Sequence, residues 1–188
     1  METQAKQAKA ACSTRTLVMT ALFAALTCAA TLVVKIPSPT GGYANLGDTT
    51  VLLGAYLLGP LWGAAAGGLG SALADLLCGA AAYVPGTLVI KALMAALAAL
   101  MYRAAGRTPP GVLACGVVGE VPMVVGYWLY DALLACAFGG SGLSAALAGS
   151  AAGIPSNFAQ AGFGLAASTL LVLSLRKNSF ARKVFPTL

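Results

Sequence analysis

Histidine does not occur in this 188-residue chain, and the five cysteines (Cys12, Cys28, Cys78, Cys115, Cys136) are scattered without a CxxC pair. An odd count at these spacings supports neither a disulfide framework nor a zinc site. The cysteines read instead as small apolar packing residues. Charge is also scarce: 9% of residues are charged, against about 25% in soluble domains, too few to cover a water-facing surface. No Walker A sequence, nucleophile elbow or HExxH occurs. Nothing supplies a nucleophile beside a base, so the chain does not read as an enzyme, and it implies no cofactor.

What is present is apolar. Hydrophobic residues make up 59% of the chain, and the mean hydropathy is +0.86. Several runs approach the roughly 20 residues a helix needs to cross a bilayer. Stretches such as "ALMAALAALMYRAA" lack the alternation of a membrane barrel. The expected fold is an all-α membrane protein with no separate soluble domain. "METQAKQAKAAC" ends in a cysteine after small residues, as a lipoprotein cleavage site does. The apolar stretch such a site requires is missing before it, so the first apolar run reads as a retained helix.

Six spans account for the sequence, near 14–34, 48–65, 67–82, 86–105, 112–138 and 145–175. The first ends in a loop, "KIPSPTGGYANLG", whose prolines and glycine pair forbid helix. The last is too long for one crossing, and Gly153-Ile154-Pro155 marks where its membrane part begins. The expected architecture is one six-helix domain over 14–175, between a tail of 1–13 and a basic tail of 176–188. With both termini in the cytoplasm, Lys6, Lys9, Arg15, Arg103, Arg107, Arg176, Lys177, Arg182 and Lys183 lie inside. Only Lys35 lies outside and Lys91 falls within a span, a strong positive-inside bias. The +6 net charge therefore reflects membrane topology, and the basic residues form no block that would point to nucleic acid.

This orientation sorts the polar side chains by depth. Asp48, Asp75, Lys91, Tyr127, Trp128 and Asp131 fall in the outer half, and Glu120 falls near the midplane. Asn157 and Gln160 lie within about a turn of Pro155. Charges within a bilayer normally face a protein interior or a wet cavity. One reading pairs Lys91 with Glu120 or Asp131 as a structural ion pair; the other makes the group an outward-facing pocket for a small polar ligand. Tyr127 could line that pocket or join an interfacial belt. Asp48 could touch ligand or cap the second helix, with the cap favoured. Acidic groups do not continue to the inner face, so no ion path is visible. Ala21, Ala25 and Ala29 form a small-residue stripe that suits either a partner helix or packing within the bundle.

Several motifs carry a family resemblance. "IPSPTGGYANLGD" following the alanine-striped helix, then "GSALADLL", "VPGTLVIKALMAAL", "VVGYWLYDALL" and "IPSNFAQAGFG", resemble the substrate-binding (S) components of energy-coupling factor (ECF) transporters. The likeness is strongest to the riboflavin and hydroxymethylpyrimidine/pyridoxine-like branch. It implies a six-helix vitamin-binding protein of a bacterial cytoplasmic membrane that takes its ligand from outside with high affinity. It further implies docking on a module of one transmembrane coupling protein and two cytoplasmic ATPases, with toppling in the membrane to release ligand. By this resemblance the loop with Tyr43, Asn45 and Asp48 is a lid, and Ala21, Ala25 and Ala29 meet the coupling protein. Lys91, Glu120, Tyr127, Asp131, Asn157 and Gln160 lie on the pocket helices.

Lys91 would favour an anion, a phenolate or a carbonyl, and Asn157 and Gln160 would meet the edge of a heterocycle. Tyr127 could stack on its ring. Pyridoxine or hydroxymethylpyrimidine fits a small pocket, riboflavin needs more room, and pantothenate or a queuosine precursor stays open. The competing readings are a proton-coupled secondary carrier using Asp131 or Glu120, and a membrane scaffold.

Overall fold

The computed structural model describes residues 13–105 and 108–188. The expectations for residues 1–12, including Lys6, Lys9 and Cys12, and for Arg107 lie outside the described residues. The remainder is almost wholly helical.

The first helix, α1 (Thr14–Val33), starts at Ser13, whose hydroxyl accepts from the Thr16 amide. The following loop is not irregular. Lys35–Pro37 (β1) and Tyr43–Asn45 (β2) pair antiparallel, with Ile36 opposite Ala44. Gly41, at φ +91°, lets the chain turn between them. Next come α2 (Gly47–Leu58), α3 (Pro60–Leu77), α4 (Val84–Ala105) and α5 (Pro109–Gly139). A short α6 (Leu143–Ser150) and a 3-10 turn lead to α7 (Ile154–Lys177), and α8 (Ser179–Val184) closes the order. Helix α7 does begin at the Ile154-Pro155 step.

The second and third helices depart from expectation. The break falls at Gly59-Pro60, not at residues 65–67. Gly59 sits at φ +84°, and Pro60 occupies the first turn of α3, where its missing N–H costs nothing. Helix α2 is therefore only 12 residues long, about 18 Å at 1.5 Å per residue. Among the described residues, four segments are long and apolar enough to cross a membrane: Thr14–Val33, Val84–Ala105, Pro109–Gly139 and Leu143–Lys177.

The short α2 is the centre of the molecule. Every residue from Gly47 to Leu57 is buried, walled by α1, α3, α4 and α7. Val51, Leu52, Ala55 and Tyr56 form its core with Met94, Ala95 and Ala98 of α4, Cys115 and Met123 of α5, and Val172 of α7. Glycine permits this close packing. A β-carbon on Gly63 of α3 would stand 2.7 Å from the Ala55 Cα, so α2 and α3 touch backbone to backbone.

Candidate functional site

Helix α2 buries its N-terminal end beneath the hairpin, and there the polar side chains converge. Asp48, in the first turn of α2, is fully buried. Its Oδ1 takes a hydrogen bond and ion pair from Lys91 Nζ of α4, itself 2% exposed. Its Oδ2 accepts from Gln160 Nε2 of α7 at 2.7 Å. Gln160 Oε1 in turn accepts from the Asn45 backbone amide at 2.7 Å. One chain of contacts thus joins the hairpin strand β2 to α7, α2 and α4.

This arrangement corrects two expectations. Lys91 pairs with Asp48, and neither Glu120 nor Asp131 is its partner. Asp48 does not cap α2, because Leu46 occupies the cap position without a side-chain bond and both Asp48 oxygens are engaged elsewhere. The turn before α2 is held instead by Asn45 Oδ1, which accepts from the Gly47 amide at 2.8 Å.

Above this network lies a small polar cavity of about 30 Å³, walled by the hairpin, α3, α4, α5 and α7. That is the share of one water molecule in the liquid. Of the nine candidate ligand-binding residues, Tyr43, Asn45, Tyr127, Asp131, Asn157 and Gln160 line it. Asp48, Lys91 and Glu120 do not. The first two form the buried pair below. Glu120, 5% exposed, faces the space between α5 and α7, where neither carboxyl oxygen finds a partner.

The cavity is closed by two tyrosine–carboxyl bonds. Tyr43 of the lid donates to Asp75 Oδ1 of α3 at 2.6 Å and also touches Cys78 Sγ at 3.1 Å. Tyr83, in the α3–α4 turn, donates to Asp131 Oδ1 of α5 at 2.8 Å. Burial pushes the Tyr43 phenol well above its ordinary range, and the Asp75 bond adds to this. Burial and then Asp131 do the same for Tyr83, so both phenols remain donors. Tyr127 donates to Thr87 Oγ1 at 3.0 Å and holds Lys91 Nζ 5.4 Å from its ring centre. Trp128 points elsewhere and donates to Leu147 O at 3.0 Å, which pins α6 to α5.

Asp75, Tyr83, Thr87, Ser38 and Thr40 also line the cavity and were not among the candidate residues. The depth of Asp75 was legible, since it lies in the outer half like the residues that were chosen. Tyr83 stands in the "YVPG" break, where an aromatic gives no periodic signal. Among the described residues, every cavity-lining group that bears a formal charge is a carboxylate, Asp75 or Asp131. Asp75 Oδ2 is buried without a hydrogen bond, an acceptor available to a donor in the cavity.

On the far side of the bundle, α1 turns Thr20, Phe23, Thr27, Cys28 and Thr31 inward. Ala21, Ala25 and Ala29 are exposed, as are Val18, Leu22 and Leu26 beside them. The stripe is therefore not packed inside the described chain.

Comparison with known proteins places this architecture. The model of the family described as ECF-type riboflavin transporter, S component, matches residues 11–177. A curated protein of Pyrococcus woesei, described as an uncharacterized protein in a gap 3' region, is 42% identical over 99 residues. That match covers 52% of this chain and 65% of the relative. A solved structure described as the S component of a bacterial ECF transporter superposes with a TM-score of 0.65 at 15% identity. It covers 86% of this chain and 95% of the other, a likeness of fold. With the family match spanning nearly the whole bundle, the chain belongs to the ECF-type riboflavin transporter S component family, the membrane-embedded substrate-binding components of transporters.

Proposed function

We propose that the protein captures a vitamin or vitamin precursor from outside a bacterial cytoplasmic membrane and hands it to an ATP-driven coupling module. In this reading six segments cross the membrane, with α2 and α3 as the second and third, and both termini face the cytoplasm. The module comprises a transmembrane coupling protein and two cytoplasmic ATPases, which supply the hydrolysis that this chain has no motif to perform. The exposed Ala21, Ala25 and Ala29 offer the coupling protein a face on which two helices can approach closely.

The observation that carries the reading is the lid: a hairpin held over a polar cavity by Tyr43–Asp75 and by Tyr83, whose hydroxyl reaches Thr40 O of the hairpin turn at 3.4 Å. A space of about 30 Å³ holds no vitamin, so binding requires the hairpin to lift. When it lifts, Asp75 loses its phenol donor, and a ligand bearing N–H or O–H groups replaces it, while Asp131 keeps Tyr83. Lys91 is neutralised by Asp48, so the case for an anionic ligand weakens. Pantothenate fits this chemistry poorly. A hydroxymethylated pyridine or aminopyrimidine fits it well, and the hydroxyl-rich chain of riboflavin fits its donor requirement.

The test is to purify the protein in detergent, identify bound small molecules by mass spectrometry, and ask whether ATPase subunits co-purify. Titration of the candidate ligands into Asp131→Asn and Asn157→Ala should then show weakened binding with normal membrane insertion. Unchanged affinity in both variants would move the ligand away from this cavity. Uptake into proteoliposomes driven by a proton gradient without any ATPase would replace the reading with that of a self-sufficient carrier.

A further inference from the structure

The opposite end of the bundle holds a second and larger cavity. It measures about 250 Å³, and its walls include Tyr56, Gly59, Tyr102, Arg103, Arg176 and Thr187. That is about eight times the volume share of a water molecule. Here α2, α4 and α7 all end, and the C-terminal segment folds back beneath them. Thr187 donates to Leu57 O at 2.9 Å, and Phe185 packs edge-on against Phe23 of α1, with ring centres 6.5 Å apart.

Of the two arginines at this cavity, Arg176 is held in place. Arg176 Nη2 donates to the Tyr102 hydroxyl at 2.7 Å, with its guanidinium 5.3 Å from the centre of the same ring. Tyr102 stacks on Tyr56 with ring centres 4.6 Å apart. Arg103 lies over Gly59 so closely that a β-carbon there would stand 2.7 Å from its Nη2. A side chain at Gly59 would displace the guanidinium, so the bare backbone there leaves room for Arg103 beside the cavity.

The charge around this cavity is one-sided. Arg15, Arg103, Arg176, Lys177, Arg182 and Lys183 all occupy this end. The described acidic side chains do not: Asp48, Asp75 and Asp131 stand at the lid end, and Glu120 lies mid-way along α5. Helix C-termini contribute only partial negative charge. A tyrosine-floored cavity with two guanidinium groups and no acidic side chain in its wall is complementary to a phosphate group, which arginine grips through paired N–H donors.

We propose that this cavity is an anion site that takes the phosphate of a phosphate ester, with Arg103 and Arg176 as its ligands. Two sources carry that chemistry, the headgroup of an anionic phospholipid at the membrane surface and a soluble phosphate. Basic pockets between helix ends are a recognised setting for the first. The site does not depend on the vitamin reading, because it shares no residue with the lid cavity.

The experiment uses the full chain in a neutral detergent. Native mass spectrometry measures retention of phosphatidylglycerol against phosphatidylcholine, and a parallel melt compares inorganic phosphate with chloride at equal ionic strength. Phosphatidylglycerol should be preferred, and Arg103→Gln should lower that preference about fivefold, from about 1 kcal/mol per basic residue at a membrane surface. Arg182→Gln, which removes a charge outside the cavity wall, should leave it unchanged. Arg103 is exposed, so its replacement strands no buried group. Stabilisation by inorganic phosphate that vanishes in Arg103→Gln would make soluble phosphate the source; phosphatidylglycerol preference alone would make it the lipid. Equal retention of both lipids with no phosphate effect would overturn the proposal. So would an equal loss in Arg182→Gln, because the basic surface would then act only as a diffuse charge.

Discussion

Asp48 and Lys91 allow a sharp test of whether the polar network is structural or ligand-facing. In Asp48→Ala the Lys91 ammonium, 2% exposed, keeps its burial and loses its counter-charge. Breaking a buried pair from one side costs about 3–5 kcal/mol, whereas replacing both partners by apolar groups of similar volume is close to neutral. At ~2–4 °C per kcal/mol for a chain of this size, Asp48→Ala should melt roughly 6–20 °C lower. Lys91→Met alone should also destabilise, by stranding the Asp48 carboxylate. The double variant Asp48→Leu/Lys91→Met should recover most of the loss, save for the hydrogen bond from Gln160 to Asp48 Oδ2. That remainder is about 1.5–3 kcal/mol for a bond to a charged group. The assay is thermal unfolding of purified protein in one detergent, read by intrinsic fluorescence, for the wild type, the two single variants Asp48→Leu and Lys91→Met, and the double variant. If the double variant loses the sum of the single losses, the two side chains do not act as a pair and the network described above is wrong.

Three further outcomes follow from the same geometry. Tyr43→Phe removes the lid bond to Asp75 and uncovers Cys78, so a membrane-impermeant maleimide should label Cys78 several-fold faster; an unchanged rate would mean the hairpin is held elsewhere. Ala25→Trp places a large ring on the exposed stripe of α1, and should abolish uptake in cells carrying the coupling module while leaving ligand affinity intact. Normal uptake would remove the docking role from this face. Gly63→Ala drives a β-carbon to 2.7 Å from the Ala55 Cα and should cost about 1–3 kcal/mol by overpacking, read as a lower melting temperature; a stable variant would mean that α2 and α3 can separate without loss.

The parts of this molecule legible in its sequence are those governed by one-dimensional rules. Apolar length gave the membrane class, and Pro155 marked the start of α7. The break between α2 and α3 was equally written, as Gly59-Pro60, but it sits inside the unbroken apolar run "VLLGAYLLGPLWGAAAGGLG", where hydropathy says nothing about turns. Depth along the spans brought Asp48, Lys91, Asp131 and Gln160 into the right half of the bundle. It carried no information about azimuth, so it could not show that Lys91 faces Asp48 or that Glu120 turns away toward α7. Loop residues escaped for a related reason: Ser38, Thr40 and Tyr83 reach the cavity through turns whose direction no periodicity encodes.

The resulting separation of charge has a consequence for how the site works. With Lys91 held by Asp48, the lid cavity presents two carboxylates, each bonded to a tyrosine from a mobile type of element, a hairpin or a turn. An exposed phenol can satisfy itself in water, but Asp75, at 6% exposure, cannot easily do so. On the proposed reading, opening the lid costs Asp75 more than Tyr43, and a ligand's donor recovers what that buried acceptor loses. Selectivity, on that reading, then rests on supplying a donor at Asp75. A ligand without that donor leaves Asp75 buried with no partner, so recognition of this kind discriminates most strongly against analogues lacking the one N–H or O–H group that meets it.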